Sequence, residues 1–248
     1  MKIYLLVAAL LAVSVLAGPV CAGTIFSDDF ESGVSGSTWE AMPTGPYYQI
    51  LVGDSAHARG TQSAKQVNAD PWMYYMRTKS GAFPSPGLVQ AGQKEILTCW
   101  MWDDNVQTTG ANAGVMLVNF TGSDLYQFVV NSAYSMTNYC WRTQLEGTFV
   151  SSVARSQGWH KFQIEVNPYT GASGDVKFYI DDAFVANGKR KGDFVLDSVR
   201  LGISIKSQDS PFWYDDVNLT MVPEPGSVLG LLTGLIVLAG IARRRFTG

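Results

Sequence analysis

Short runs of β-branched and aromatic residues recur every 10–20 positions between residues 23 and 221, and Gly, Asn, Asp, Ser or Pro bounds each run. This spacing is typical of β-strands joined by turns, because branched side chains fit a pleated sheet and the bounding residues fit turn geometry. No stretch shows the 3.6-residue period of an amphipathic helix. The sequence therefore predicts twelve strands, at residues 24–30, 47–52, 63–67, 72–78, 95–103, 114–120, 125–131, 139–145, 159–167, 176–181, 199–205 and 212–220.

Twelve short strands in about 200 residues favour an all-β fold in which two antiparallel sheets pack face to face as a jelly-roll β-sandwich. The alternation within a strand predicts its buried face. Apolar and polar residues alternate without a break over residues 176–181. In the run before it the alternation slips near His160, and the predicted apolar set is Trp159, Phe162, Ile164 and Val166.

Three stretches resemble the concanavalin A-like or laminin-G-like sandwich family. They are the opening SDDFESG at 27–33 with Trp39, the hairpin from Trp159 to Asp182 with FYIDD at its centre, and the closing FWYDDV at 212–217. The first and last are also similar to galactose-binding-like carbohydrate modules. Both resemblances imply a jelly-roll β-sandwich, and the hairpin favours the concanavalin A-like family.

The last 27 residues combine a Pro-Glu-Pro break, one apolar span and a basic end. Residues 227–242 carry no charge and would extend roughly 24 Å as a helix at ~1.5 Å per residue. That length is a little short of the bilayer core, but flanking arginines can snorkel. The basic cluster places the C-terminus in the cytoplasm by the positive-inside rule.

This order resembles the PEP-CTERM sorting signal, carried here by Val222, Pro223, Glu224, Pro225, Arg243, Arg244 and Arg245. The resemblance implies a Gram-negative envelope protein held transiently in the inner membrane. An exosortase-type processing enzyme would cut it near the motif, and the product would reach the cell surface or extracellular matrix. A permanent single-pass anchor is the alternative.

The N-terminus also predicts export. Lys2 precedes an apolar run at 3–17, and Val20-Cys21-Ala22 has the small-residue pattern of a signal-peptide cleavage site. The predicted organisation is a signal peptide (1–22), a β-sandwich domain (23–221) and a sorting signal (222–248) with its transmembrane helix at 227–242.

Charge and cysteine content constrain partners and redox state. The formal net charge of −3 becomes about −7 once Lys2 and the three terminal arginines are set aside with the targeting segments. This balance argues against a nucleic-acid partner, which would need a cationic patch. Cys99 and Cys140 remain, and in an exported protein they either form a disulfide or stay as buried thiols.

Catalytic motifs are absent from the sequence. Sandwich glycan hydrolases place carboxylates on alternate strand positions as Glu-x-Asp-x-Glu, and this chain has no such run. His57 and His160 are the two histidines, too far apart for ordinary zinc-ligand spacing. A Ser-His-Asp triad stays open, because its members meet only in space. We predict a protein without catalytic activity, with a glycan-active hydrolase or lyase of the concanavalin A-like superfamily as the alternative.

Two sets of residues are candidates for ligand binding. Carboxylates on the first and last strands could hold a structural calcium ion or could cap turns and protect sheet edges, and they are Asp28, Asp29, Glu31, Asp215 and Asp216. Aromatic side chains could stack on sugars of an extracellular polysaccharide or could fill the core, and they are Trp72, Tyr74, Tyr75, Trp100 and Trp102.

Overall fold

The computed structural model describes residues 22–42, 51–66, 75–82, 84–106, 112–122, 124–202 and 212–223. These ranges contain no helix that is long and apolar enough to cross a membrane. The predicted signal peptide and the predicted span 227–242 lie outside the described residues.

The described strands are β1 (Gly23–Asp28), β2 (Trp39–Met42), β3 (Leu51–Asp54), β4 (Ser63–Gln66), β5 (Tyr75–Thr78), β6 (Gln93–Asp103), β7 (Asn112–Val118), β8 (Leu125–Asn131), β9 (Ser135–Thr143), β10 (Gly147–Ala154), β11 (Gly158–Val166), β12 (Val176–Ile180), β13 (Ala183–Gly188), β14 (Ser198–Leu201) and β15 (Trp213–Pro223).

Two antiparallel sheets hold these strands. Sheet A has the order β13-β12-β11-β6-β15-β4-β3, with β1 also paired to β15. Sheet B has the order β10-β9-β8-β7-β14-β5-β2. The predicted antiparallel jelly-roll β-sandwich is confirmed.

The core lies between the inward faces of the two sheets. Phe128 of sheet B contacts Phe162 and Phe178 of sheet A edge to face, with ring centroids 5.0 and 5.6 Å apart. All three rings are fully buried. The apolar area removed from water by such rings is the main force that holds the sheets together.

Strand β6 shows how the alternation sets the two faces. Leu97, Cys99 and Met101 are buried in the core, while Trp100 and Trp102 are half-buried on the opposite, outer face. Polar and aromatic side chains can therefore occupy that outer face without disturbing the core.

The face predicted for Trp159 is wrong. Phe162, Ile164 and Val166 of β11 are in the core as predicted. Trp159, however, lies opposite Trp102 in the register of β11 and β6, so it shares the outer face. The period of two places His160 on the inward side, and the prediction followed the apolar character of tryptophan instead of its position in the strand.

Three strands were missed by the sequence prediction: β2, β10 and β13. All three lie at the ends of the sheets. An edge strand has one pairing partner and is less regularly buried, so its alternation is weak. The sequence of β10, GTFVSSVA, shows this irregularity, with exposed Phe149 and Val150 beside a buried Ser151.

A β-bulge divides the last strand. The pairing of β15 with β6 shifts between Asp215 and Asn218, and Asp216 has a positive φ of 47°. Such a bulge bends a strand and redirects its side chains. β4 pairs with residues 213 and 214 before the bulge, and β1 pairs with Val217 in the bulge and with residues after it. The strand then continues to Pro223, two residues into the predicted sorting signal.

Candidate functional site

Three tryptophans form a row across the outer face of sheet A. Trp159, Trp102 and Trp213 lie opposite one another on β11, β6 and β15. The Trp102 ring contacts the Trp159 ring edge-on, with centroids 6.0 Å apart. Its Nε1 donates a hydrogen bond to Asp104 Oδ1 at 2.7 Å.

The loop between β3 and β4 covers part of this row. His57 stacks on Trp102 with ring centroids 4.3 Å apart, and the Arg59 guanidinium lies 3.7 Å from the Trp100 ring centroid. Sugar stacking requires a free ring face. The contacts made by His57 and Arg59 therefore argue against Trp100 and Trp102 as an open sugar-binding platform.

The same loop is fixed to the bulge of β15. Arg59 N donates to Asp215 Oδ2 at 3.1 Å, and Arg59 Nε pairs with Asp216 Oδ2 at 3.0 Å. Burial raises the pKa of Asp215 to about 6, while the backbone hydrogen bonds from Arg59 and Asp216 act in the opposite direction. The negative charge of Asp216 also raises this pKa.

The raised pKa of Asp215 predicts a loss of stability between pH 4 and pH 6. The folded protein favours the protonated carboxyl group, so this group's contribution to the free energy of unfolding falls as pH rises from about 4 to about 6. The fall amounts to roughly 2–3 kcal/mol. We expect Asp215→Asn to remove this part of the pH dependence, measured as the difference between wild-type and variant in urea unfolding at pH 4.5 and pH 7. Identical pH profiles for the two proteins would contradict the assignment.

The carboxylates predicted to bind calcium accept hydrogen bonds from the protein. Asp28 accepts from Phe30 N at 2.9 Å and from Trp39 Nε1 at 2.7 Å. Asp29 accepts from Glu31 N, and Glu31 accepts from Thr61 N.

Asp28, Asp29 and Asp216 line one cleft of about 620 Å³. Among the described residues, however, no three His, Cys, Asp or Glu side chains lie close enough together to hold a metal ion. The structure therefore does not gather Asp28, Asp29, Glu31, Asp215 and Asp216 into one calcium ligand set.

Of the two alternatives for Cys99 and Cys140, a disulfide or buried thiols, the structure has the second, because both thiols are free and buried. Cys99 lies on β6 of sheet A and points into the core. Cys140 lies on β9 of sheet B, at a position that shares the outer face with Arg142. The two side chains belong to different sheets and point to different sides of sheet B. Burial raises the pKa of both thiols, that of Cys140 to about 11.

A row of mostly polar residues, of which Arg200, Met116 and Gln127 are buried, crosses the face of sheet B opposite the core, and we call it the arginine row. Its members lie opposite one another on successive strands from β2 to β10, and they are Glu40, Arg77, Arg200, Met116, Gln127, Arg142 and Thr148. Tyr75, a predicted sugar-binding residue, lies two positions from Arg77 on the same face of β5.

The contacts of the row are mainly with neutral groups. Arg200 Nη1 donates to Tyr75 Oη at 2.9 Å, and its guanidinium lies 4.6 Å from the Tyr75 ring centroid. Arg77 Nε pairs with Glu40 Oε1 at 2.7 Å. Gln127 Nε2 donates to Met116 Sδ at 3.0 Å. The carboxylate of the row is that of Glu40, and it pairs with Arg77.

Two guanidinium groups of the row lack an acidic partner among the described residues. Arg200 is 7% exposed, and its buried Nε has no hydrogen-bond partner. The buried Nε of Arg142 has none either. Burial lowers the pKa of Arg200, the charge of Arg77 lowers it further, and Tyr75 acts in the opposite direction. The row therefore holds more positive charge than its carboxylate can balance.

A separate cluster lies where β11 begins. His160 Nε2 is 3.0 Å from Ser156 Oγ, and His160 Nδ1 is 2.8 Å from Asp181 Oδ2. This is the contact order of a Ser-His-Asp triad. The Ser156 carbonyl oxygen also lies 3.1 Å from Nε2 and competes for the same nitrogen. Ser156 is exposed, and the His160 side chain is largely buried.

Comparison with known proteins identifies the fold. No protein-family model and no curated protein matches this chain. Among solved structures it is similar to the cellulose-induced protein Cip1, with a TM-score of 0.56 and 14% identity over 78% of this chain and 96% of that chain. It is also similar to the carbohydrate esterase vb_24B_21 from the Shiga toxin-encoding bacteriophage phi24B, with a TM-score of 0.51 and 12% identity over 81% and 99% of the two chains.

A third similar structure is the binding domain of botulinum neurotoxin serotype G. The TM-score is 0.50 and the identity 10%, over 86% of this chain and 51% of that one. Likeness at this level of identity establishes the fold alone.

Sequence reasoning found one residue of the arginine row face, Tyr75, while the predicted Trp72 and Tyr74 lie outside the described residues. The sequence did contain a signal for the three arginines of the row. Arg77, Arg142 and Arg200 each lie inside a predicted strand between apolar or Thr neighbours, in MRT, WRT and VRL. Arginine in the middle of a short strand of a sandwich is unusual enough to be singled out.

Proposed function

We propose that this chain is an exported cell-surface or extracellular-matrix protein whose β-sandwich binds carbohydrate without chemically changing it. The observation that carries the binding proposal is the arginine row with Tyr75. Sugar sites use a few planar polar groups that hydrogen-bond to hydroxyls. Tyr75, Arg77 and Arg142 supply half-buried polar groups on one sheet face, while Gln127 and Arg200 are buried and the Arg200 guanidinium contacts the Tyr75 ring. The fold shared with a cellulose-induced protein and a carbohydrate esterase supports the proposal.

The absence of catalysis is part of the proposal. Glycoside hydrolysis normally uses two carboxyl groups, one as acid and one as base or nucleophile. The arginine row offers Glu40, which is paired with Arg77. This supports binding over glycoside cleavage at the row.

Glycan-array binding of the purified protein tests the proposal. We expect Tyr75→Ala to lower affinity for the bound glycan at least tenfold, about 1.4 kcal/mol. Tyr169→Ala is the matched control, because Tyr169 is an exposed tyrosine in the loop between β11 and β12. It should leave affinity unchanged. Loss of binding in Trp102→Ala with none in Tyr75→Ala would assign the site to sheet A, and uniformly negative arrays would contradict carbohydrate binding.

Export rests on the predicted signal peptide and the resemblance of residues 222–248 to a sorting signal. In a Gram-negative host that carries an exosortase-type enzyme, we expect a shortened product at the surface or in the medium. In a host without that enzyme, the uncut chain should stay in the inner membrane. Of the predicted motif, Val222 and Pro223 belong to the described strand β15. A full-length product that is soluble inside the cell would contradict export.

The Ser156–His160–Asp181 cluster favours a second candidate, hydrolysis of acyl esters. His160 would donate Nδ1–H to Asp181 and accept the Ser156 hydroxyl proton at Nε2. Ser156 Oγ would then attack the ester carbonyl, the alcohol would leave with the proton from His160, and water would release the acid. Labelling with a fluorophosphonate probe tests this activity. We expect labelling of wild-type protein that Ser156→Ala abolishes, and an unlabelled wild-type protein would exclude it.

A further inference from the structure

We propose that the outer face of sheet A carries a second carbohydrate-binding surface, which takes a neutral polysaccharide. We call this surface the uncharged strip. Its members lie opposite one another on six successive strands, and they are Phe184 (β13), Tyr179 (β12), Gln163 (β11), Thr98 (β6), Asn218 (β15) and Ser27 (β1). The inference rests on the proposed binding of carbohydrate, and it adds a class of sugar and a site on the opposite sheet.

The uncharged strip is accessible along its whole length. Its central members alternate with core residues of their own strands, so their side chains point away from the core. Phe184 is 55% exposed at one end, and Ser27 is exposed at the other. The four members between them are half-buried, and none is fully buried. A polymer that lies across the strands can therefore reach every member.

An exposed aromatic pair forms one end of the strip. The rings of Phe184 and Tyr179 contact each other edge to face, with centroids 5.8 Å apart. The Trp102 ring is covered by His57, whereas Phe184 keeps more than half of its surface in solvent. A large apolar side chain on an edge strand is a liability unless it has a use. Stacking against the apolar face of a sugar ring is such a use.

The middle of the strip supplies free hydrogen-bonding groups. The side chains of Gln163 and Thr98 and the Tyr179 hydroxyl make no hydrogen bond with other described residues. Asn218 Oδ1 is buried and also has no partner in this part of the chain. A buried polar atom without a partner costs free energy, which a sugar hydroxyl can recover by donating to it. Amides and hydroxyls of this kind match the alternating donors and acceptors of a sugar.

The charges beside the strip are already balanced. Lys161 and Lys177 lie two positions from strip members on β11 and β12, and they pair with Asp182 and Glu165. The six side chains of the strip carry no charge at neutral pH. The strip therefore offers no free cation to an acidic sugar.

The other end of the strip opens into an acidic cleft. Ser27 and Asn218 line the cleft of about 620 Å³, together with Asp28, Asp29 and Asp216. The domain without its targeting segments also has a net charge of about −7. Both the cleft and the whole domain would repel an acidic polymer, whereas a neutral polymer experiences no such repulsion.

The length of the strip favours a polymer over a single sugar. Four strand spacings separate β13 from β15. At ~4.8 Å between neighbouring strands, Phe184 and Asn218 lie roughly 19 Å apart across the sheet. This distance is longer than one sugar ring, so one ring cannot contact the aromatic pair and the cleft together.

Matched neutral and acidic polymers test the inference. The probes are a β-glucan, a mannan and a galactan, each used as the neutral polymer and after oxidation of its primary alcohols to carboxylates. Affinity electrophoresis of the purified protein measures binding. We expect the protein to bind at least one neutral polymer, and to bind it ten or more times more tightly than the oxidised form.

Variants of the strip identify the site. Tyr179→Ala should lower the affinity for the neutral polymer at least tenfold, because it removes the inner ring of the aromatic pair. Gln163→Glu keeps the shape of the side chain, but it should also weaken binding because it replaces an amide donor with a negative charge. Phe184→Ala should weaken binding with little change in the thermal midpoint, since this side chain is mostly exposed.

Tyr134→Ala is the matched control. Tyr134 is also 55% exposed, but it lies in the turn between β8 and β9 of sheet B. Its replacement should leave affinity unchanged. The neutral polymer should raise the thermal midpoint of the wild-type protein more than that of Tyr179→Ala.

The outcomes distinguish this inference from the proposed function. Equal or tighter binding of the oxidised polymers overturns the inference and leaves carbohydrate binding intact. Binding that Tyr75→Ala abolishes and that Tyr179→Ala and Phe184→Ala leave unchanged also overturns it, and assigns the glycan to sheet B. No binding to any glycan overturns both.

Discussion

Replacing Arg155 with methionine is expected to lower the free energy of unfolding by about 3–5 kcal/mol. Arg155 donates Nε to Asp103 Oδ2 at 2.8 Å and Nη2 to Asp103 Oδ1 at 2.7 Å. Both side chains are fully buried, and Arg155 Nη1 also donates to Met136 O at 3.0 Å. The variant leaves the Asp103 carboxylate buried without its counter-charge, and this causes most of the loss.

Urea unfolding at pH 7 measures this loss. Lys161→Met is the matched control, because it breaks an ion pair with Asp182 whose carboxylate is largely exposed. An exposed pair is worth less than about 1 kcal/mol. The double variant Arg155→Met with Asp103→Leu should recover part of the stability, since neither charge remains. If Arg155→Met costs no more than Lys161→Met, the buried pair does not stabilise the fold as argued.

Replacing Phe128 with alanine is expected to destabilise the sandwich by about 3–5 kcal/mol. Phe128 projects from the middle of β8 and contacts two rings of the opposite sheet. Truncation removes buried apolar area and leaves a cavity in the contact between the sheets, because the neighbouring strands cannot close it completely.

Phe184→Ala is the control for the Phe128 prediction. Phe184 is 55% exposed on the edge strand β13, and its ring contacts Tyr179. We expect a loss of less than about 1 kcal/mol for an exposed side chain. Equal losses for the two variants, measured by urea unfolding, would contradict the placement of Phe128 at the centre of the core.

Sequence patterns predicted the fold class and most strands because these depend on local chemistry. The alternation in residues 176–181 and 95–103 records which side of a strand meets the core. The alternation failed to predict strands that lie at the edge of a sheet and the face of one large aromatic residue. The edge strands β2, β10 and β13 have one neighbour each, and the large apolar ring of Trp159 was placed inside although its position in β11 faces outward.

The candidate site was much less accessible to sequence analysis. Trp100 and Trp102 are on an outer face as sugar-binding residues must be, but His57 and Arg59 from a distant loop cover their rings. Cys99 and Cys140 both lie in predicted strands, but the sequence around each cysteine does not indicate that the two strands belong to different sheets. The Ser156–His160–Asp181 contacts likewise join a turn to a distant hairpin.

The sequence by itself determined that this chain forms a β-sandwich and which residues of most strands face the core, because a strand's inside and outside follow from its own alternation. Only the tertiary structure decided which strands are neighbours. Arg77, Arg142 and Arg200 come from β5, β9 and β14 and form one row because hydrogen-bond register aligns strands that are far apart in the chain. Register and strand order depend on the packing of the whole sandwich, so no local pattern could have brought these residues together.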